Sequence, residues 1–409
     1  MARQPEVPGG VPEAGSAGAR GSDPGVARPL RPHQRRRADR AGDRRAGDGH
    51  LRTLQLLQGE GRGHITQAMT LYNLLLTQGH VIQAVIVTVS KNRKVPDFFL
   101  NYLKVPVYTV QGPNFITDNN VKSINWLKTI AINIFKFPTH INQFKAIKSI
   151  VNQYKPEIII NFYDLLCGIY LRIYNKQKAI AIAHQYTYLH PSFKFPKGFI
   201  INRLLIKLYT KLTAGNSIKK LAISFYEIKN NQPNLIVIPP VIRKEVLELK
   251  SEFKDIILIY LVNPGYFDEI VKWHFNNPSV HLHCFTDSKT YLSNNFKFNT
   301  NTLKLHDLCN ESFLKYMSIS KAVATTAGFE SVCEAMYLGK PLLMVPVKGH
   351  FEQFCNSRDA NSIGAGLYSD HFDLNLLIDF STNFNPSNLT FKNWVNAGYD
   401  IIQKELLFP

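Results

Sequence analysis

Residues Thr325–Asn356 read TTAGFESVCEAMYLGKPLLMVPVKGHFEQFCN, and the order of parts in this stretch decides the fold. KAVATT (321–326) is an apolar run that delivers the chain to Ala327-Gly328, where a helix opens. Ser331 and Glu334 stand one turn apart on that helix and so share a face. Gly339-Lys340-Pro341 ends it, LLMVP (342–346) makes a buried strand, and a short polar loop closes on Glu352-Gln353. A strand that hands over to a helix at a glycine is the ligand corner of an open α/β sheet, where unpaired N–H groups face phosphate. Gly328 lets a ligand approach the backbone closely, Ser331 offers a hydroxyl to a phosphate oxygen, and Glu334 offers a carboxylate to two ribose hydroxyls. Asn263-Pro264-Gly265, after DIILIYLV (255–262), is a second candidate phosphate loop, and an ordinary β-to-α turn reads equally well there.

The same alternation runs outward in both directions. LQLL (54–57), HVIQAVIVTV (80–89), VPVYTV (105–110), EIIINF (157–162) and KAIAIA (178–183) read as strands, with helices predicted over 64–78 and roughly 121–153. Apolar runs separated by amphipathic helices predict parallel sheets covered on both faces. NLIVIPPVI, punctuated by Pro239 and Pro240, reads as the crossing into a second domain that restarts the pattern at 255–262. VHLHCF (280–285), TLKLH (302–306), KAVATT and PLLMVP (341–346) supply its further strands, and a helix over 388–406 ends the chain. The expected division is 51–240, 241–390 and a closing 391–409 segment packing back on the first domain.

Residues 1–50 are written in a different composition, rich in Arg, Gly, Ala and Pro, with no Lys, Ile, Phe, Tyr or Asn. Such a segment has almost nothing to bury and reads as a disordered leader outside the fold, so a chain starting near Leu51 is expected to fold unaided. The alternative is an Arg-rich arm, RRRADR (35–40), that touches anionic partners. The formal charge of +18 points to nucleic acid, an anionic membrane or anionic ligands. Without zinc-ligand spacing or an RNA-reading signature, nucleic acid is the weakest of these. His281, His283 and Cys284 alternate along a strand without further ligands to close a site, so no metal is expected. Five scattered cysteines with no C-x-x-C suit a reduced, cytoplasmic setting. Two basic, apolar stretches, 124–137 and 193–212, mix cations with large apolar residues as interfacial helices do, and equally suit helices packed on the sheet.

GEGRGH (59–64) follows the first strand and opens the first helix, with Gly61 and Gly63 ahead of His64. In a 3-2-1-4-5 strand order, Asp164 lies just past the strand beside it, facing that loop. A carboxylate next to a His fixes its tautomer and stabilises it when it takes a proton; the alternatives are a His64 that merely caps or packs at its helix start and, nearly as good a reading, an Asp164 that caps the next helix.

The 325–356 segment resembles the donor motif of the family-28 glycosyltransferases, which include the peptidoglycan N-acetylglucosaminyltransferase, and of the UDP-glycosyltransferases. The likeness is close over 325–356 and loose over 51–409. It implies a GT-B fold: two Rossmann-like domains with parallel sheets and an interdomain cleft. It places Gly328 and Ser331 at a diphosphate, Glu334 at the ribose, and Glu352-Gln353 where plant enzymes hold the sugar hydroxyls with an Asp-Gln pair. Ser357 departs from the Ala of many relatives. GEGRGH resembles the turn that carries the acceptor-side His, with His64 and Asp164 as a base and its partner. The implied activity is inverting, metal-independent transfer of a hexose from a nucleotide sugar to a hydroxyl, with no cofactor beyond that co-substrate. The acceptor could be lipid-linked, and the setting the inner face of the plasma membrane. A nucleotide-sugar 2-epimerase and a non-catalytic sugar-nucleotide-binding partner are the alternatives.

Overall fold

The computed structural model describes residues 50–59, 62–90, 94–112, 137–174, 176–229, 232–286, 300–386 and 390–407. The 1–49 leader, Gly61 and nearly all of the 124–137 stretch lie outside them.

The first sheet is built from β1 (Arg52–Gln58), β2 (Val81–Val89), β3 (Val107–Gln111), β4 (Ile158–Phe162), β5 (Lys178–Ala183), β6 (Lys219–Ile223) and β7 (Leu235–Ile238), in the order β3-β2-β1-β4-β5-β6-β7. Helices α1 (Arg62–Thr77), α2 (Asp97–Tyr102), α3 (Phe137–Tyr154), α4 (Leu165–Tyr174) and α5 (Ile200–Ala214) run between its strands. β4, IIINF, is buried along its whole length, as a central strand covered on both faces must be. Parallel pairing holds throughout the sheet, with Leu56 opposite Asn161 and Leu57 opposite Phe162 across β1 and β4.

After the short α6 (Lys244–Leu247), the second sheet is formed by β8 (Lys254–Tyr260), β9 (Leu282–Phe285), β10 (Leu303–His306), β11 (Ser320–Thr325), β12 (Leu342–Met344) and β13 (Gly366–Tyr368). Its order, β10-β9-β8-β11-β12-β13, repeats the switch of the first sheet, with β8 and β11 standing where β1 and β4 do. Around it lie α7 (Phe267–Asn276), α8 (Asn310–Ile319), α9 (Phe329–Tyr337), α10 (Phe351–Ser362) and α11 (Leu374–Asn383).

Four particulars differ from the sequence reading. NLIVIPPVI is not wholly a crossing: Leu235–Ile238 completes the first sheet, and the chain leaves only at Pro239. KKLAI (219–223) is a strand whose two lysines hid its apolar end. The polar loop expected to close on Glu352-Gln353 is already α10 from Phe351. The closing helix is two, α12 (Phe391–Asn396) and α13 (Gly398–Leu407), broken where Gly398 lies so close to Pro239 that a Cβ would come within 3.1 Å of it.

Both closing helices lie against the first sheet's far edge. Trp394 Nε1 donates to the Ser224 carbonyl at 3.0 Å, Lys219 Nζ pairs with Glu405 at 2.9 Å, and Ile402 and Leu406 are buried. The core is continuous between the sheets: Phe225 of the first half and Phe329 of the second have ring centroids 4.5 Å apart.

Candidate active site

Each domain turns from strand to helix, at the equivalent place, through a non-glycine residue in the left-handed region: Tyr163 (φ 57°) after β4 and Ala327 (φ 59°) after β11. Such a conformation costs roughly 1–3 kcal/mol and persists only where the surroundings demand it.

On the α9 side, Gly328 is the N-cap and has no side chain to cover the first N–H groups of the helix. Ser331 Oγ donates to the Gly328 carbonyl at 3.0 Å and lies 3.4 Å from Thr325 Oγ1. Glu334, one turn on, differs from the free carboxylate expected for ribose. Arg243 takes both its oxygens, Nε to Oε1 at 2.6 Å and Nη2 to Oε2 at 2.9 Å, in a pair whose side chains are 14% and 5% exposed. Glu352 Oε1 accepts from Gln185 Nε2 at 2.9 Å, and burial pushes its carboxyl up to about 6. Gln353 is turned to another task, its Oε1 accepting from the Val347 N–H at 2.8 Å and pinning the loop ahead of α10. Asn263 likewise spends its Oδ1 on the Gly265 N–H at 2.9 Å, capping a 3₁₀ turn over Pro264–Tyr266, so the turn reading describes this loop and that N–H already has an acceptor.

On the α1 side, Gly63 and His64 occupy the first turn of the helix. The His64 ring stacks on Tyr163, centroids 5.9 Å apart and planes at 22°. Burial pushes its imidazole down to about 4, with Gln67 pulling the other way. The expected His64–Asp164 dyad is not formed. Among the described residues His64 Nδ1 has no hydrogen-bond partner, while Asp164 Oδ1 accepts from the Cys167 N–H at 2.7 Å as the cap of α4. The Tyr163 ring stands against His64, only Asp164 Oδ1 is used by the cap, and Asp164 Oδ2, like His64 Nδ1, has no hydrogen-bond partner among the described residues.

Four further contacts join the two halves, and local sequence carries no sign of them. Gln67 Nε2 donates to Glu330 Oε1 at 2.6 Å, and Tyr226 Oη to Asp359 Oδ1 at 3.0 Å. His184 stacks on Phe329 at 3.9 Å, and its Nε2 lies 2.7 Å from Asn356 Oδ1. Partners 133 to 263 residues apart leave no spacing to recognise.

This arrangement can be set beside known proteins. A solved glycotransferase of kitacinnamycin superposes with a TM-score of 0.61 at 10% identity, covering 88% of this chain and 99% of that one. Arabidopsis thaliana UGT89C1, solved with quercetin, gives 0.59 at 13% identity over 88% and 100%. Acinetobacter baumannii MurG gives 0.52 at 16% identity over 87% and 99%. At such identities the likeness is one of fold, and that fold is GT-B. Comparison with curated protein sequences finds no match. The sequence model of glycosyl transferase family 1 matches residues 51–385, most of the chain, including both sheets and the β11–α9 turn. The protein is therefore a glycosyltransferase, a member of glycosyl transferase family 1.

Proposed function

We propose that the protein moves a hexose from a nucleoside-diphosphate sugar to an acceptor hydroxyl, with inversion and without a metal ion. The observation that carries this reading is the start of α9, whose Gly328 N-cap brings no side chain to its first N–H groups and whose Glu330 meets Gln67 of α1, the helix that carries His64 in its first turn. Neutral above about pH 4, His64 accepts the acceptor's proton as its oxygen attacks the anomeric carbon. The carbon–oxygen bond to the diphosphate breaks on the opposite face, and the electron pair leaves with the phosphate. The N–H groups and dipole of α9 meet that charge, the task a metal would otherwise perform. Thermal-shift screening of UDP-, dTDP- and GDP-sugars, followed by an assay for acceptor-dependent release of the nucleoside diphosphate, tests the reading. Stabilisation by one donor class and EDTA-resistant transfer are expected. Isomerisation of the donor sugar without acceptor would move the assignment to an epimerase. Binding without turnover would point to a silent partner.

The acceptor in this reading is lipid-linked and reached from an anionic membrane surface. α5 turns Ile200, Ile201, Leu204 and Leu208 outward, 57% to 72% exposed. Lys197, Arg203, Lys207 and Lys211 accompany them, and 193–214 contains no acid. A cationic, apolar face of this kind suits anionic lipid. Phe199, just before it, lies 5.1 Å from Phe354 of α10, so the face begins where the first domain meets the second. Among the described residues no helix is long and apolar enough to cross a membrane. Co-sedimentation with phosphatidylglycerol-containing vesicles is expected, weakening as salt rises. Ile201→Glu with Leu204→Glu should abolish it and leave the thermal midpoint unchanged, because both side chains are exposed. Vesicle binding indifferent to that change would remove the role of α5.

A further inference from the structure

Glu330, in the first turn of α9, is used neither by the site as expected from sequence nor by the reaction above. Its carboxylate reaches the opposite domain. Gln67 Nε2 donates to Oε1 at 2.6 Å. The other oxygen lies so near Gly63 that a Cβ there would come within 2.1 Å, so any larger residue would displace the carboxylate from this place. Glu330 also accepts from its own backbone N–H. One carboxylate therefore rests against the first turns of two helices, α1 and α9, near the positive ends of both dipoles.

We infer that Glu330 is a positioning residue that fills the anion position between the domains when the donor is absent, and that it must take a proton from solvent before a nucleotide sugar's diphosphate can settle beside α9. This rests on the donor reading above. Two anionic phosphates and an ionised carboxylate cannot share one helix start without strong repulsion. The remaining charged surroundings do not relieve it. On its own helix stand Cys333 and Glu334, the latter held by Arg243, with Glu245 beyond. On α10 stands Glu352, and on α1 the nearly always neutral His64 with the uncharged Gln67. Lys392 sits over Tyr337 at the far end of α9. Burial, with Glu352 and Glu334 adding to it, pushes Glu330 up to about 7 in the empty protein. A bound diphosphate raises it further. Donor affinity is then full below pH 7 and falls as pH rises through that value, by up to about tenfold per pH unit until the bound-state pKa is reached.

The experiment is calorimetric titration of the full chain and of Glu330→Gln with UDP-glucose, UDP-N-acetylglucosamine and dTDP-glucose, without acceptor, from pH 6 to 8.5. These esters have no phosphate proton of their own to exchange in that range. Titrations at pH 8 in buffers of different ionisation enthalpy count the protons taken up. For the wild type we expect close to one proton taken up at pH 8 and a falling affinity above pH 7. Glu330→Gln should bind at least about tenfold more tightly at pH 8, with a nearly flat profile and little proton uptake. A variant that binds a donor with the wild-type profile, or one shifted equally at every pH, overturns the inference and leaves the donor reading standing. Failure of both proteins to bind any of the three overturns the inference and the donor reading together.

Discussion

Replacing His64 by alanine is expected to slow sugar transfer by about 10²–10⁴-fold, the usual worth of a positioned general base, with nucleotide affinity unchanged. The two effects separate because His64 stands on α1 while the groups proposed to hold the donor stand on α9 and α10. A base must be neutral to accept a proton, and burial holds this imidazole down to about 4. The acidic limb of kcat/KM therefore belongs near pH 4, well below the ~6.5 of a solvated histidine. Near-normal transfer by His64→Ala would end the assignment. A wild-type limb near 6.5 would mean that the ring is solvated during turnover. Asp164→Ala should behave differently from a relay partner. Loss of the α4 cap costs about 0.5–2 kcal/mol of stability, with kcat little changed.

Glu334→Ala is expected to destabilise the fold by about 3–5 kcal/mol as well as weaken donor binding. Arg243, bound through two parallel hydrogen bonds, would be left mostly buried without its counter-charge. Urea unfolding measures the loss. The double replacement Arg243→Met with Glu334→Leu should recover most of that stability while donor binding stays weak, since no charge then remains stranded. An unfolding midpoint unchanged in Glu334→Ala would show that water reaches the guanidinium freely. Because the single variant moves stability and binding together, only the double variant isolates what the carboxylate does for the ligand.

The contrast between these two residues shows what the chain displays locally and what it hides. The β11–α9 turn was legible because each of its requirements is short-range: an apolar run, a glycine, a hydroxyl and a carboxylate one turn apart. β4 and β5 were legible because both faces are buried and nearly every residue is apolar. The Arg243–Glu334 pair, 91 residues apart, and Gln67–Glu330, 263 apart, had no such signature, since only the folded chain brings them together. His64 and Asp164 were predicted to meet because they occupy adjacent loops of the sheet. Instead His64 stacks on Tyr163 and Asp164 Oδ1 caps α4, and a tyrosine with a positive φ at that turn is too rare to foresee. KKLAI lost its signal to two lysines at its start, and LIVI to the two prolines after it.

The closing helices carry a consequence for biosynthesis. β6 and β7 lie at 219–238, yet the groups that cover their edge, Trp394, Ile402 and Glu405, come only after the whole second sheet. Domains ordinarily fold as units in the order in which they leave the ribosome. Here the first domain must wait, with an apolar edge open, while the whole second domain is made. Ribosome-bound chains halted before residue 391 should hold that half in a protease-sensitive, chaperone-binding state, and release of the last helices should close both halves at once.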